Sequence, residues 1–167
     1  PLSPTSLKEA IDTGGGSWVR GARSSVRDVS SAPRVPSMVD TSAFAVGGNI
    51  AVTPGQVVHR APMFELLQYN AATENVYEKP VLLVPPTINK YYALDLAPGR
   101  SVVEHLVQAG HQVFAISWRN PTARHADWGM DAYIHAILTA LQVTREIAES
   151  DQASIWGTCS GGILTTM

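Results

Sequence analysis

A cysteine between closely spaced glycines constrains this chain more than any other feature of its sequence. Residues 157–162 are Gly-Thr-Cys-Ser-Gly-Gly; they follow the short apolar segment 153–156 and precede the apolar segment 163–167. Glycines two residues before and two residues after a central residue permit a turn so sharp that larger side chains would collide with neighbouring backbone. The pattern therefore predicts a strand, a sharp turn and a helix, with Cys159 presented above a sheet.

Cys159 is the candidate nucleophile of this turn. A helix that starts at the cysteine would favour the thiolate through its dipole and its free N–H groups. The backbone N–H of Ser160 would then be one donor to the oxyanion that forms when a carbonyl group is attacked. The alternative is a buried structural cysteine beside a glycine-rich turn, but the strand before the turn and the helix after it favour the catalytic interpretation.

A second oxyanion donor is expected from the loop that follows the first parallel strand, residues 85–92. Pro85 and Pro86 have no N–H to donate, so the backbone of Thr87 or Ile88 is the candidate donor. The alternative is that the two prolines only end the strand. Both roles are compatible with the sequence.

Strand and helix patterns alternate along the second part of the chain. Segments 56–60 and 64–69 are typical of an antiparallel hairpin with a short turn. Beyond them come an apolar strand at 80–86, a helix that starts at the capping pattern 101–104 and ends at Gly110, a strand at 111–118, a helix at about 131–148 and the strand at 153–156. The helix at 131–148 is predicted to place one apolar face against the core, formed by Ile134, Ile137, Leu138, Leu141 and Ala148. Strands that alternate with helices predict an α/β domain with a parallel sheet.

Residues 1–50 differ from residues 51–167. The first part is interpreted as an N-terminal helical segment, in which glycines 14–16 separate two helices and a loop covers 29–36. The second part is interpreted as the first part of an incomplete α/β domain. Because the chain opens without Met and stops inside a predicted helix, we expect it to be a fragment of a longer protein.

Composition argues against several classes of function. Lys and Arg number 12 against 14 acidic residues, and the net charge of −2 argues against a nucleic-acid-binding protein. The stripe Arg20, Arg23 and Arg27 is interpreted as a solvated helix face and not as a contact with an anionic surface. The single cysteine leaves no disulfide within the chain and no cysteine-based zinc site. No apolar run approaches the ~18 residues of a membrane span, and no charged-then-apolar leader indicates export.

The base that a cysteine nucleophile needs is missing from the sequence pattern. The five histidines are His59, His105, His111, His125 and His135. In the fold that the glycine-flanked turn indicates, the acid and the histidine follow the nucleophile along the chain. Only residues 160–167 follow Cys159, and they contain neither a histidine nor an acid. No cluster of His, Asp and Glu has metal-ligand spacing, so no metal is expected.

Several stretches of the sequence together resemble one protein family. They are 12–15 (Asp-Thr-Gly-Gly), 52–58 (Val-Thr-Pro-Gly-Gln-Val-Val), 65–69 (Glu-Leu-Leu-Gln-Tyr), 84–92 (Val-Pro-Pro-Thr-Ile-Asn-Lys-Tyr-Tyr), 94–96 (Leu-Asp-Leu), 117–121 (Ser-Trp-Arg-Asn-Pro) and the cysteine turn 157–162. From near residue 2 to its C-terminus the chain resembles the poly(3-hydroxyalkanoate) synthases, cysteine-dependent relatives of α/β-hydrolases. The resemblance implies an α/β-hydrolase-type parallel sheet, truncated after the cysteine turn and preceded by the helical segment.

The resemblance also implies an activity. Such an acyltransferase polymerises (R)-3-hydroxyacyl-CoA into a polyester and releases CoA, with Cys159 matching the nucleophile that takes the acyl group as a thioester. The family's histidine and aspartate would lie beyond Met167, so the fragment alone would be inactive. No separate cofactor is implied, because CoA is part of the substrate.

The family further implies where the protein works and with what. The resemblance favours its single-subunit classes, whose members are cytoplasmic, have no membrane span and associate with polymer granules. A homodimer is the expected active form. The N-terminal segment is implicated in contact with the granule surface and in partner association.

Two other functions stay open from the sequence. A cysteine hydrolase of the dienelactone-hydrolase type shares the Gly-x-Cys-x-Gly pattern and would release a free acid, but it does not account for the segments 85–86 and 118–121. The other alternative is a non-catalytic granule-associated scaffold, against which an intact Cys159 argues. The block 118–121 (Trp-Arg-Asn-Pro) is interpreted as a structural corner after a strand.

Overall fold

The strand and helix patterns of the sequence produce a mixed α/β structure, so the predicted α/β class is confirmed. The computed structural model describes residues 3–30 and 38–167. The helices are α1 (Pro4–Asp12), α2 (Gly16–Ser30), α3 (Val102–Gln108), α4 (Met130–Ile147) and α5 (Ser160–Thr165). The strands are β1 (Gly55–Arg60), β2 (Phe64–Tyr69), β3 (Val81–Val84), β4 (Val113–Trp118) and β5 (Ser154–Gly157). No helix among the described residues is both long and apolar enough to cross a bilayer.

The first of two compact units ends at Ala43 and contains the two predicted N-terminal helices. Gly14 and Gly15 separate α1 from α2 with φ of 57° and 84°, the left-handed region that glycine adopts without a Cβ clash. Helix α2 ends at Ser30, so Val29 is helical and the loop predicted to begin there begins later. No glycine or proline lies at positions 22–30 to end the helix earlier. The remainder of that expected loop, 31–36, lies outside the described residues. The exposed apolar side chains of α2 are Trp18, Val19, Val26 and Val29.

The second unit, Phe44–Met167, contains one five-stranded sheet with the order β1-β2-β4-β3-β5. The predicted hairpin pairs β1 with β2, and β2 continues antiparallel to β4 with Phe64 opposite Trp118. Strand β3 lies between β4 and β5 and pairs parallel with both. Parallel strands need crossover connections, which α3 and α4 supply. The predicted parallel sheet is therefore the β4-β3-β5 part, and the hairpin makes the whole sheet mixed.

Helices cover both faces of the central strand β3. Leu82 and Val84 share a buried cluster with residues of α4, whereas Leu83 on the opposite face shares one with residues of α3. A strand that is buried on both faces has no position for a polar side chain, which explains the continuous apolar run. On α4 the prediction is correct for Ile137 but wrong for Leu138, which is exposed because it lies about 100° further round the helix.

A buried carboxylate joins the segment before β1 to the start of α3. Asp95 is fully buried and accepts hydrogen bonds from the Thr53 N–H (3.2 Å), the Thr53 hydroxyl (2.6 Å) and the Ser101 hydroxyl (2.6 Å). Ser101 also caps α3 by accepting the Glu104 N–H, as the capping pattern predicts. The Glu104 carboxylate accepts the Gly99 N–H instead of that of Ser101, so only half of the predicted capping box forms.

Two tyrosines lie near this carboxylate. Burial, followed by the negative charge of Asp95, raises the pKa of Tyr69, and the same two causes in the same order raise the pKa of Tyr91. Their phenols therefore stay neutral in the folded protein. The free energy of unfolding is therefore unaffected by these groups below the ordinary tyrosine pKa. It falls as pH rises above that value, because the phenols ionise more readily in the unfolded chain.

Helix α5 approaches the sheet closely because two glycines have no side chain: Gly161 in the first turn of α5 and Gly157 at the end of β5. A Cβ on Gly161 would lie 2.7 Å from the carbonyl oxygen of Pro85 and closer still to that of Val84. A Cβ on Gly157 would lie 2.6 Å from the Cα of Gly162. Contacts this short do not occur at real Cβ atoms. A larger residue at position 161 would therefore push α5 away from the end of β3, and one at position 157 would push α5 away from β5.

We predict that Asp95→Ala lowers the free energy of unfolding by about 3 kcal/mol, because three donors lose a buried, charged acceptor. Ser101→Ala is the matched comparison; it removes one of these bonds together with the cap of α3 and should cost about 1–2 kcal/mol. Urea denaturation followed by circular dichroism measures both values. An Asp95→Ala protein as stable as the wild type would contradict the anchoring role of this carboxylate.

Gly161→Ala is expected to lower the free energy of unfolding by about 2–4 kcal/mol, because the backbone carbonyls at the end of β3 cannot move aside. Gly21→Ala in α2 is the control, since nothing lies within 4 Å of a Cβ at that position and alanine is the better helix former. The control should be neutral or stabilising by up to about 1 kcal/mol. Equal effects of the two substitutions in urea denaturation would show that the close approach is not a constraint.

Candidate functional site

Cys159 lies where β5 turns into α5. Its φ of 51° and ψ of −125° belong to a backbone region that residues with a side chain rarely adopt. Two hydrogen bonds hold the turn: the Thr158 N–H donates to the Val84 carbonyl, and the Ile163 N–H donates to the Cys159 carbonyl, each at 3.1 Å. The Cys159 side chain is exposed. The strand, turn and helix predicted from the glycine spacing are therefore all present.

Within the described residues, the Cys159 side chain has no hydrogen-bond partner. The histidines are spread over other elements: His59 lies in β1, His105 in α3, His111 before β4, His125 in a short 3-10 turn and His135 in α4. None of them hydrogen-bonds to Cys159 in this part of the chain. The same residues also contain no group of three or more His, Cys, Asp or Glu side chains that could hold a metal ion.

The loop after β3 lies against the start of α5, where the sequence places the second oxyanion donor. The Thr87 N–H donates to the Ser160 hydroxyl at 3.0 Å, so two of the three candidate donor residues, Thr87 and Ser160, are in direct contact. The Asn89 N–H donates to the Pro86 carbonyl at 3.2 Å and closes a turn in which Thr87 and Ile88 are the central residues. Ile88 is 84% exposed and its side chain extends into solvent.

The N–H groups near Cys159 differ in availability. As the first residue of α5, Ser160 has a backbone N–H without a partner inside the helix. The Thr87 N–H is already bonded to the Ser160 hydroxyl, so it can serve a ligand only by exchanging that partner. The available N–H belongs to Ser160, the residue after the cysteine, and the N–H of Thr87 lies against the rotatable hydroxyl of that same Ser160.

An apolar pocket of about 420 Å³ opens beside this turn. Its polar side chains are Thr87 and Ser160, and its apolar wall consists of Trp128, Met130, Tyr133, Ile163 and Leu164. The sequence patterns do not indicate that Trp128, Met130 and Tyr133 form this wall. One sequence feature could have indicated it. Three large apolar residues lie within the six positions 128–133, at the start of a helix whose predicted buried face is formed by other residues.

Comparison with known proteins places the chain in one family. The sequence model described as "Poly-beta-hydroxybutyrate polymerase (PhaC) N-terminus" matches residues 2–106, which is more than half of the chain. The match includes the loop after β3 and ends within α3, before the cysteine turn.

Curated relatives extend the similarity along nearly the whole chain. It is 41% identical over 162 residues to poly(3-hydroxyalkanoate) polymerase 2 of Ectopseudomonas oleovorans, covering 97% of this chain and 29% of that protein. It is 44% identical over 165 residues to the poly(3-hydroxyalkanoate) polymerase subunit PhaC of Cupriavidus necator, covering 98% and 28%. The subunit PhaC of Rhizobium meliloti is 37% identical over 165 residues, covering 97% and 27%.

The chain therefore spans less than a third of the length of these relatives. The similarity confirms the resemblance seen in the sequence motifs. It covers 97% and 98% of this chain in the first two relatives. The chain belongs to the family of the poly-beta-hydroxybutyrate polymerase (PhaC) N-terminus.

Proposed function

We propose that this chain is the N-terminal and central part of a polyhydroxyalkanoate synthase, an acyltransferase that joins (R)-3-hydroxyacyl groups from CoA thioesters into a polyester. The observation that carries the proposal is the exposed Cys159 at a strained strand-to-helix turn, followed by Ser160, whose hydroxyl accepts the N–H of Thr87. The polymerase names of relatives that match nearly the whole chain support it.

The proposed catalytic domain is of the α/β-hydrolase type. Two features support this assignment: parallel strands β4, β3 and β5 are joined by helical crossovers, and the cysteine turn follows β5 directly. In that fold a nucleophile on a sharp turn between strand and helix is exposed at the top of the sheet, and one oxyanion donor comes from the residue after it. In this proposal Cys159 is the nucleophile and Ser160 is the residue after it that donates to the oxyanion.

In the first step, the Cys159 thiolate attacks the carbonyl carbon of the acyl-CoA thioester. A bond forms between Sγ and that carbon, and the negative charge moves to the carbonyl oxygen, where the N–H groups of Ser160 and Thr87 stabilise it. The bond from the carbon to the CoA sulfur then breaks, and CoA leaves as a thiolate that takes up a proton. Because a thioester replaces a thioester, the acyl-enzyme keeps the reactivity of its substrate.

In the second step, the hydroxyl oxygen of another 3-hydroxyacyl unit attacks the acyl group on Cys159. An ester bond forms, the bond from the acyl carbon to Sγ breaks, and the hydroxyl proton passes to a base while Cys159 returns to the thiolate. We assign this base to a part of the polymerase outside these 167 residues, because Cys159 has no histidine or acid as a hydrogen-bond partner in the described part of the chain.

The apolar pocket beside the turn suits the acyl chain of the substrate. Its wall of Trp128, Met130 and Tyr133 offers apolar contact to a hydrocarbon chain whose carbonyl lies at Cys159.

The whole polymerase is further proposed to act as a cytoplasmic homodimer on the surface of polymer granules. The exposed apolar side chains of α2, which include Trp18 and Val26, support a role of the N-terminal unit in contact with an apolar surface. No separate cofactor is proposed, because CoA enters as part of the substrate.

The test of this function uses the full-length polymerase that carries this sequence. CoA release from (R)-3-hydroxybutyryl-CoA is followed with a thiol reagent while insoluble polyester is measured. We expect both products from the wild type, and Cys159→Ala should reduce the rate to about one thousandth or less, because the nucleophile is lost. CoA release that yields only free hydroxy acid would support a hydrolase instead, and no turnover of this or a longer monomer would support a scaffold.

Met130→Ala is expected to shift monomer preference by enlarging the pocket. The ratio of kcat/KM for (R)-3-hydroxyoctanoyl-CoA to that for (R)-3-hydroxybutyryl-CoA should rise about 5- to 10-fold, since a few methylene groups gain room. Leu138→Ala is the matched control, because Leu138 is similarly exposed on the same helix and lies outside the pocket. An unchanged ratio in Met130→Ala would show that the acyl chain binds elsewhere.

A further inference from the structure

Two side chains of the block 118–121 contact the loop after β3, one on each side of Thr87. The indole Nε1–H of Trp118 donates to the Pro85 carbonyl at 2.9 Å in a buried hydrogen bond. The Asn120 side-chain carbonyl accepts a hydrogen bond from Lys90 Nζ at 2.7 Å. These two contacts, called the loop clamp below, connect the end of β4 to both ends of the turn that presents Thr87.

We infer that Trp118 and Asn120 are positioning residues, which hold the Thr87 N–H at the place where the oxyanion forms on the substrate of Cys159. The inference rests on the proposed acyl transfer. It gives the corner after β4 a role in the reaction although none of its atoms touches the substrate.

The covalent structure of the loop explains how the hydrogen bond from Trp118 to the Pro85 carbonyl restrains the N–H of Thr87. The peptide bond after Pro85 is planar, and the ring of Pro86 holds its own φ near −65°. Only the ψ angle of Pro86 therefore rotates freely between the Pro85 carbonyl and the Thr87 N–H. A hydrogen bond that sets the direction of that carbonyl also sets, to within one torsion, the direction of the N–H.

The Pro85 carbonyl is held from a second side as well. Gly161 lies so close that a Cβ on it would be 2.7 Å from the Pro85 oxygen. The carbonyl is thus enclosed between the indole of Trp118 and the start of the helix that carries the cysteine turn. Any shift of this carbonyl changes the distance between the Thr87 loop and Cys159.

The second contact restrains the other end of the turn. The Asn89 N–H donates to the Pro86 carbonyl, and Lys90 follows the turn directly. The bond between Lys90 and Asn120 is exposed and joins two side chains, so it adds a weaker restraint at the exit of the turn to the buried one at Pro85. The Thr87 N–H must give up the Ser160 hydroxyl before it can bind an oxyanion. The clamp keeps this N–H in place during that exchange.

Trp118 is itself fixed by aromatic neighbours. Its ring makes edge contacts with Phe64 at 6.3 Å and with Tyr133 at 5.3 Å between centroids, and only 7% of the residue is exposed. A buried indole needs a partner for its N–H, and here that partner is the Pro85 carbonyl. The packing gives the donor a defined direction.

The test compares two reactions of Cys159 in the full-length polymerase. Acyl transfer from (R)-3-hydroxybutyryl-CoA forms an oxyanion, whereas alkylation of Cys159 by iodoacetamide, followed by mass spectrometry of its peptide, does not. Trp118→Phe should lower kcat for CoA release about 10- to 100-fold with KM changed less than about 3-fold, because a displaced donor stabilises the oxyanion poorly. Its alkylation rate should stay within about 2-fold of the wild type.

Ile116→Val is the matched control for packing. Ile116 is fully buried in the same cluster and lies two residues before Trp118 on the same face of β4, and the substitution keeps the indole and its aromatic neighbours. We expect its kcat to stay within about 3-fold of the wild type, since the donor keeps its position. An Ile116→Val loss as large as that of Trp118→Phe would assign the effect to packing and overturn the inference.

The second contact is tested with Asn120→Ala, Lys90→Met and their double variant. Each single variant should lower kcat about 3- to 10-fold, the double variant should be no worse than either, and Asn120→Asp, which keeps an acceptor for Lys90, should restore the rate. A rise in KM for Lys90→Met that Asn120→Ala does not share would show that Lys90 binds the substrate's phosphates, and would overturn its place in the clamp.

The outcomes separate this inference from the proposed function. An active wild type with an equally active Trp118→Phe variant would overturn the clamp and leave the function standing. A wild type that releases no CoA would overturn the proposed function and with it the catalytic role of the clamp.

Discussion

The contact between Gly161 and the carbonyl groups at the end of β3 is the constraint on which the rest of the site depends. Because Gly161 has no side chain, α5 starts directly above the point where β3 ends. This brings Ser160 to the loop of Thr87 and leaves Cys159 in a left-handed backbone conformation at the edge of the helix. The strain at the cysteine is maintained by surrounding contacts, which is how such conformations persist at functional sites.

The parallel strands supply the remaining geometry. The carboxyl ends of β3, β4 and β5 lie at the same edge of the sheet, so the loops that follow them meet there. Thr87 comes from the first of these loops, Asn120 from the second and Cys159 from the third. The site is therefore assembled from three separate parts of the sequence, and the buried β3 strand between its two neighbours holds them in register.

Elements with a strong local cause could be predicted from the sequence. Glycine spacing predicted the cysteine turn, a continuous apolar run predicted the buried β3 strand, and Ser101 predicted the start of α3. Predictions failed where one pattern fits two outcomes. Val29 carries no signal that separates a helix end from a loop, and Leu138 sits one residue from the buried face of α4, where spacing alone does not decide.

The sequence by itself determined the family, the α/β class, the turn at Cys159 and the candidate donors Ser160 and Thr87, because these depend on short runs of neighbouring residues. Only the tertiary structure decided that Trp118 reaches the Pro85 carbonyl and that the Thr87 N–H is shared with the Ser160 hydroxyl. Such contacts join residues that are 33 and 73 positions apart. No local spacing encodes them, since they exist only once the strands have paired and the helices have packed.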